Sequence, residues 1–191
     1  MNIFLDDEDF HFFILRLRQN LFPDKSNSGR IILLPPDSFS VISYCLMPNH
    51  YHLLLRQNGD IPTSKLIAKI CTSYSKYFNK KYKRLGQGHV FQDKFKQILI
   101  DDNSYLVWLS AYIHQNPKVA GLVGDASEYG WSSYADFLNL RNDPLCDKSI
   151  ILNQFKNRGE YGKFVEDSYG NIKNNKEIEH FLLDYTDDDP D

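Results

Sequence analysis

Between Asp6 and Leu21 the apolar residues Phe10, Phe13, Ile14, Leu17 and Leu21 recur at spacings of three and four, the period of an amphipathic helix. Acids at its start and Arg16 and Arg18 near its end suit the helix dipole. From Phe22 to Phe39 the period is lost. Pro23, Gly29, Pro35 and Pro36 surround an apolar Ile31 to Leu34, which predicts a long loop holding one short extended piece. Ser40 to Leu46 is rich in β-formers, Met47-Pro48-Asn49 is turn chemistry, and His50 to Arg56 follows, so two strands in a tight hairpin are expected. Ile61 to Tyr82 returns to helical spacing, with Leu66, Ile67, Ile70, Tyr74, Tyr77 and Phe78 on one stripe and most lysines elsewhere. Gly86 and Gly88 open a loop, and Phe95 to Ile100 predicts a third strand. Asp101-Asp102-Asn103 caps a helix from about Ser104, which Asn116-Pro117 should end or kink. Small helices are expected at Ser149 to Phe155 and at Glu160 to Tyr169.

Helix, two strands, helix, strand, helix is most of a split βαβ sandwich of the ferredoxin-like kind, an α+β fold with helices on one face of an antiparallel sheet. One strand is missing from the count, and a strand ahead of the first helix would complete it. A chain of 191 residues is long enough for one domain with a full core and a modest appendage. We therefore expect a main domain over 1–140 and a helical C-terminal extension with an acidic disordered tail over 141–191.

No window holds enough consecutive apolar residues for a membrane span, and Asp6, Asp7, Glu8 and Asp9 close behind Met1 argue against a signal peptide. Cys45, Cys71 and Cys146 are widely scattered, without metal-knuckle or redox-pair spacing, so a reducing cytoplasm is expected, with Cys45 as buried filler. The net charge of −3 hides a polarity. Lys65, Lys69, Lys76, Lys80, Lys81, Lys83, Arg84, Lys94 and Lys96 face a single acid, Asp93, which leaves about +8 on that stretch, while the last residues from Glu177 to Asp191 are acidic. Tyr74, Tyr77, Phe78, Tyr82, Phe91 and Phe95 interleave with those bases. The combination suits a polyanion whose bases can stack, although a solvated helix face has the same charge pattern.

Two places could carry chemistry. His50 and His52 alternate on a predicted strand, so their imidazoles share one face, about 7 Å apart along the chain, where two such rings can hold one metal ion. A pair of partly exposed strand histidines fits the same spacing. On the helix after Asn103, Tyr105, Leu109, Tyr112 and Asn116 fall on one stripe. Tyr112 is either a packing tyrosine or an oxygen nucleophile, and a phenol with an ordinary pKa near 10 would need a cation or a base to react. Asn116 offers a hard carbonyl oxygen one turn on. Tyr105 would face the same side as Tyr112, and spacing does not choose between them. His114, roughly 200° around the helix from Tyr112, and His89 are expected bystanders.

Four strings in order, YCLMPNHYHLLL from Tyr44 to Leu55, GHVFQDKFKQILID from Gly88 to Asp101, AYIHQNPKVAGLV from Ala111 to Val123 and WSSY from Trp131 to Tyr134, resemble the HUH single-tyrosine transposases, most nearly the REP-associated tyrosine transposases. The likeness runs from about Ile3 to Tyr134. It implies a ferredoxin-like sheet, Mg²⁺ or Mn²⁺ on His50 and His52 assisted by Asn116, and Tyr112 as the residue that attacks a DNA phosphate. The implied substrate is single-stranded DNA beside a small hairpin, and the implied activity is strand transfer through a 5′-phosphotyrosine. Such transposases carry a further central strand ahead of the segment that begins here at Ile3. Its loss would cost about 1 to 3 kcal/mol for each buried ladder group left unpaired. The expected explanations are a truncated gene, a start assigned too late, or a strand supplied by another copy in a homodimer. The competing readings are a degenerate or domesticated copy that binds single-stranded nucleic acid without catalysis, and an RNA binder of the RRM kind, which leaves the histidine pair unexplained.

Overall fold

The computed structural model describes residues 1–23, 34–84, 89–91 and 95–174. Within them the elements run α1 (Asp7–Leu21), β1 (Phe39–Met47), β2 (His50–Gln57), α2 (Thr63–Lys81), α3 (Asn103–Val119), a 3-10 turn (Ala126–Glu128), α4 (Tyr134–Phe137), α5 (Ser149–Leu152) and α6 (Arg158–Asn174). This is an α+β fold. β1 and β2 form a two-stranded antiparallel sheet joined across Pro48 and Asn49. The chain divides into two compact units, each taking part of that hairpin. The first comprises Met1–Val41, Pro48–His50 and Leu55–Lys94, the second Ile42–Met47, Tyr51–Leu54 and Phe95–Asp191.

In the first unit Asp6 caps α1 by accepting the Asp9 N–H, and the expected acids occupy the first turn. α1 buries Phe10, Phe13, Leu17 and Leu21, α2 buries Leu66, Ile67, Ile70, Tyr74 and Phe78, and the two helices pack on each other. Phe4 stacks on Phe10 at 4.5 Å and meets Phe13 edge-on, and the Tyr74 hydroxyl donates to the Ile3 carbonyl. Each such ring taken from water is worth about 1.5 to 3 kcal/mol. Tyr77, expected on the buried stripe, is half-buried and stacks on Phe12 at 3.9 Å.

In the second unit α3 is buried on nearly every side from Leu106 to Pro117, so its amphipathic stripe is hard to see in the sequence. Asp102 caps it by accepting the Tyr105 N–H at 2.7 Å. Of the two outcomes expected at Pro117, an end or a kink, the first does not occur at that residue: the helix runs on to Val119. Gly121 ends it: at φ +71 its N–H donates to Lys118 O at 3.0 Å while the Leu122 N–H donates to Pro117 O at 2.9 Å, the paired bonds of a left-handed C-terminal cap. Proline costs a helix the hydrogen bond of its missing N–H, and in the last turn that single loss is tolerated.

The division expected near residue 140 is not where the compact units part. α6 buries Tyr161, Val165, Ser168 and Ile172 at spacings of four, three and four, and packs on α3 within the second unit. The WSSY string runs along β1: Leu46 N–H donates to Trp131 O, Ser133 N–H to Tyr44 O, and Cys45 bridges to Ser132. Arg141 clamps the turn, donating to Gly130 O at 2.7 Å and Ser132 O at 2.6 Å and pairing with buried Asp136 at 2.6 Å.

The strand expected at Phe95 to Ile100 is absent; the segment is coil. Its strand-like alternation survives, with Ile98 and Ile100 half-buried and Gln97 and Leu99 exposed. A strand is defined by a paired neighbour as well as by side-chain period, and among the described residues no strand pairs with this one. The extended piece expected at Ile31 to Leu34 falls, except for buried Leu34, outside the described residues, as do Gly86, Gly88 and the acidic tail.

Candidate catalytic site

β2 is half-buried from His50 to Leu53, and its alternation puts His50 and His52 on one face. Nδ1 of His50 lies 2.8 Å from Oδ1 of Asn49. An amide oxygen only accepts, so this bond needs the proton on Nδ1 and turns the imidazole lone pair to Nε2. Asn49, which reads in the sequence only as turn chemistry, thereby orients the first histidine. In the second unit the ring of His52 meets that of Tyr112 edge-on, with centroids 5.8 Å apart and planes at 82°. Tyr112 is 5% exposed, and Trp108 covers one of its faces at 5.7 Å.

Asn116 is buried one turn after Tyr112, and its Nδ2 donates to Tyr112 O at 3.1 Å. That bond commits the amide nitrogen and leaves the harder oxygen, Oδ1, as the donor for a cation. Among the described residues no three His, Cys, Asp or Glu side chains cluster as a metal site. An amide oxygen is a donor that suits a small hard cation, and a neutral imidazole nitrogen is a common metal ligand. Tyr105 is half-buried, with its ring nearly parallel to that of Trp108 at 6.1 Å.

His114 is fully buried. Its Nε2 lies 2.8 Å from Ser133 Oγ and its Nδ1 2.7 Å from the Tyr161 hydroxyl, which is 3.0 Å from Ser110 Oγ. Burial without a facing acid pushes its pKa down to about 3, so it is a neutral tie between α3, α6 and the β1 edge. Tyr161 and Ser133 are the residues that sequence reasoning missed, and spacing carries no signal for contacts of such long range. Cys45 is buried, as expected, and desolvation pushes its thiol upward, away from reactivity. His89 is exposed.

The cations expected to meet DNA divide into groups. Lys65, Lys69, Lys76 and Lys80 lie within about 60° of one another around α2, on a stripe about 22 Å long and away from the buried face. Lys83 is exposed just past the helix, and the Arg84 guanidinium sits 5.5 Å over Phe78. Lys96 is exposed in the second unit. Lys94 lies outside the described residues. Lys81 is held by Asp6 at 2.6 Å, Glu8 at 3.0 Å and buried Asp9 at 2.9 Å, which makes it the member of the tract least placed to follow a phosphate backbone.

Comparison with known proteins gives two likenesses. Residues 34–116 match the family described as "Transposase IS200 like", a span that begins ahead of β1 and ends at Asn116. The chain is also 28% identical over 105 residues to a Haemophilus influenzae protein named as a REP-associated tyrosine transposase; the alignment covers 50% of this chain and 59% of that relative. The chain thus spans about three fifths of the length of the curated relative it matches. No solved structure matches. The segment similar to the IS200-like transposases is thus the one that carries His50, His52, Tyr112 and Asn116. No helix among the described residues is long and apolar enough to cross a membrane.

Proposed function

We propose that this chain is a single-tyrosine DNA strand transferase that cleaves single-stranded DNA near hairpins. The observation that carries the reading is the Tyr112 ring against His52, inside the matched transposase segment. The run α1, β1, β2, α2 agrees with the middle of the ferredoxin-like order expected from the sequence, which remains part of the proposal. His50 through Nε2, His52, and Asn116 through Oδ1 would hold Mg²⁺ or Mn²⁺, and the cation would supply a Lewis acid for the scissile phosphate. Asn49 fixes the His50 tautomer. Trp108 and His52 restrict the Tyr112 ring to one orientation, so little rotamer freedom is lost when its oxygen is brought in line with phosphorus.

The Tyr112 oxygen forms a bond to phosphorus as the bond from phosphorus to the 3′ oxygen breaks; the phenol gives up one proton and the 3′ oxygen takes one. The products are a 5′-phosphotyrosine and a free 3′-hydroxyl, and no ATP is needed because the ester bond is exchanged rather than hydrolysed. A 3′-hydroxyl attacking the phosphotyrosine reseals the strand. The lysine stripe of α2 follows the DNA backbone, so binding weakens steeply with salt.

The test is a denaturing gel of the chain with a hairpin-bearing single strand and Mg²⁺ or Mn²⁺. A covalent adduct is expected, mapping between Ala111 and Pro117 and lost in Tyr112→Phe but kept in Tyr105→Phe. His50→Ala and His52→Ala are each expected to abolish cleavage while hairpin binding stays within a few fold, because lysines supply most of the affinity. An adduct on any residue outside that segment removes Tyr112 from its role, and full cleavage by the double histidine variant ends the metal assignment. Tight binding with no adduct would instead favour a copy that binds single strands without catalysis.

A further inference from the structure

Tyr105, Trp108 and Tyr112 follow at spacings of three and four on α3, so their rings form a row along the helix. The planes of Tyr105 and Trp108 differ by 8° and those of Trp108 and Tyr112 by 22°. Burial is graded along the row: Tyr112 is buried, whereas Trp108 and Tyr105 are half-buried. Trp108 packs against the core of the second unit; Tyr105 is not among the residues of that core. Among the described residues, Trp108 is the ring that meets Tyr105. A tyrosine outside that core, with its ring nearly parallel to its neighbour's and part of its surface in solvent, is a preorganised stacking surface.

We propose that Tyr105, backed by Trp108, stacks on one unpaired nucleobase of the strand that Tyr112 attacks. The identity of this ligand rests on the strand-transfer reading above. Seven residues separate the two tyrosines, about 10 Å along the helix, or roughly three base steps of 3.4 Å. The stacked base therefore lies within about three nucleotides of the scissile phosphate. Every base offers a π face, so the contact tolerates sequence, and a duplex, whose base faces are already covered, does not make it. The hydroxyl of Tyr105 has no part in the contact.

Binding is measured in a Tyr112→Phe background, which removes covalent chemistry, using labelled oligothymidylate and its duplex with oligoadenylate. Tyr105→Leu is expected to weaken single-strand binding roughly 5- to 100-fold with duplex binding unchanged, while Tyr105→Phe and Tyr105→Trp keep the parent affinity. Irradiation of an iodouracil-substituted strand on the unsubstituted chain is expected to crosslink at Tyr105. Parent-like single-strand affinity of a folded Tyr105→Leu, or crosslinks that map only to other residues, would overturn the proposal. If Tyr105→Leu does not fold, the crosslink decides alone. Failure of the strand-transfer reading shows differently: the wild-type chain forms no adduct, and the effect of Tyr105 on binding remains.

Discussion

In the first unit α1 and α2 are tied by ions, with Asp6, Glu8 and Asp9 around Lys81 and the Tyr77 and Tyr82 hydroxyls on Asp9. In the second, α3 and α6 are tied by neutral groups, the Tyr161 hydroxyl between His114 and Ser110 and the Gln115 amide on Val165 O. Asp9 and His114 are both fully buried, so each must suppress an unfavourable charge state. Burial alone would raise Asp9, but Lys81, the Leu5 N–H and the tyrosine hydroxyls outweigh it and hold the carboxyl below its usual range, ionised. His114 faces no carboxylate and stays neutral instead. The same burial thus gives a tie that depends on a counter-ion in one unit and a tie that must exclude protons in the other.

The largest way to break this contrast is Lys81→Met, which strands a buried carboxylate. A loss of about 3 to 5 kcal/mol is expected in urea unfolding, much of it restored when Asp9→Leu is added, because removing both ions also removes the desolvation cost. A single variant as stable as the parent would show that the ions contribute little. Next is Tyr161→Phe, which leaves His114 Nδ1 buried without its partner hydroxyl and should cost about 1 to 3 kcal/mol by the same measurement.

Acid sharpens the comparison. His114 has a folded pKa of about 3 against an ordinary 6.5, so above 6.5 it is neutral whether folded or not and contributes nothing to pH dependence. As pH falls from 6.5 towards 3 the unfolded chain takes up a proton that the folded chain refuses, and stability drops by up to about 1.4 kcal/mol per pH unit. Asp9 is the later case: its pKa is lowered from 3.8, so the stability it adds is present above that value and is lost only as pH falls through the lowered one. His114→Gln should flatten stability between pH 6.5 and 4.5 relative to the parent, and equal slopes would remove His114 from the account. The smallest effect expected is at the surface. Lys76→Gln, on the exposed stripe, should reduce the slope of log binding constant against log salt for single-stranded DNA by about 0.7, and an unchanged slope would take Lys76 off the strand's path.

Features that depend on neighbours a few residues away can be read along the chain. The α1 period with its Asp6 cap, the hairpin around Pro48 and Asn49, the α2 stripe and the Asp102 cap of α3 all rest on local spacing and capping chemistry, and each is present in the fold. His50, His52, Tyr112 and Asn116 could be picked out as a strand pair and a helix stripe, but only the tertiary structure set the Tyr112 ring on His52. Tertiary structure also decided that Lys81 answers to Asp9, 72 residues away, and that residues beyond 140 brace the tyrosine helix through Tyr161, 47 residues from His114. It decided that Phe95 to Ile100, despite its alternation, is not a strand. Period and caps are local energies that a short window contains, whereas charge pairing, buried hydrogen bonds and strand ladders depend on partners that only the folded chain brings within reach.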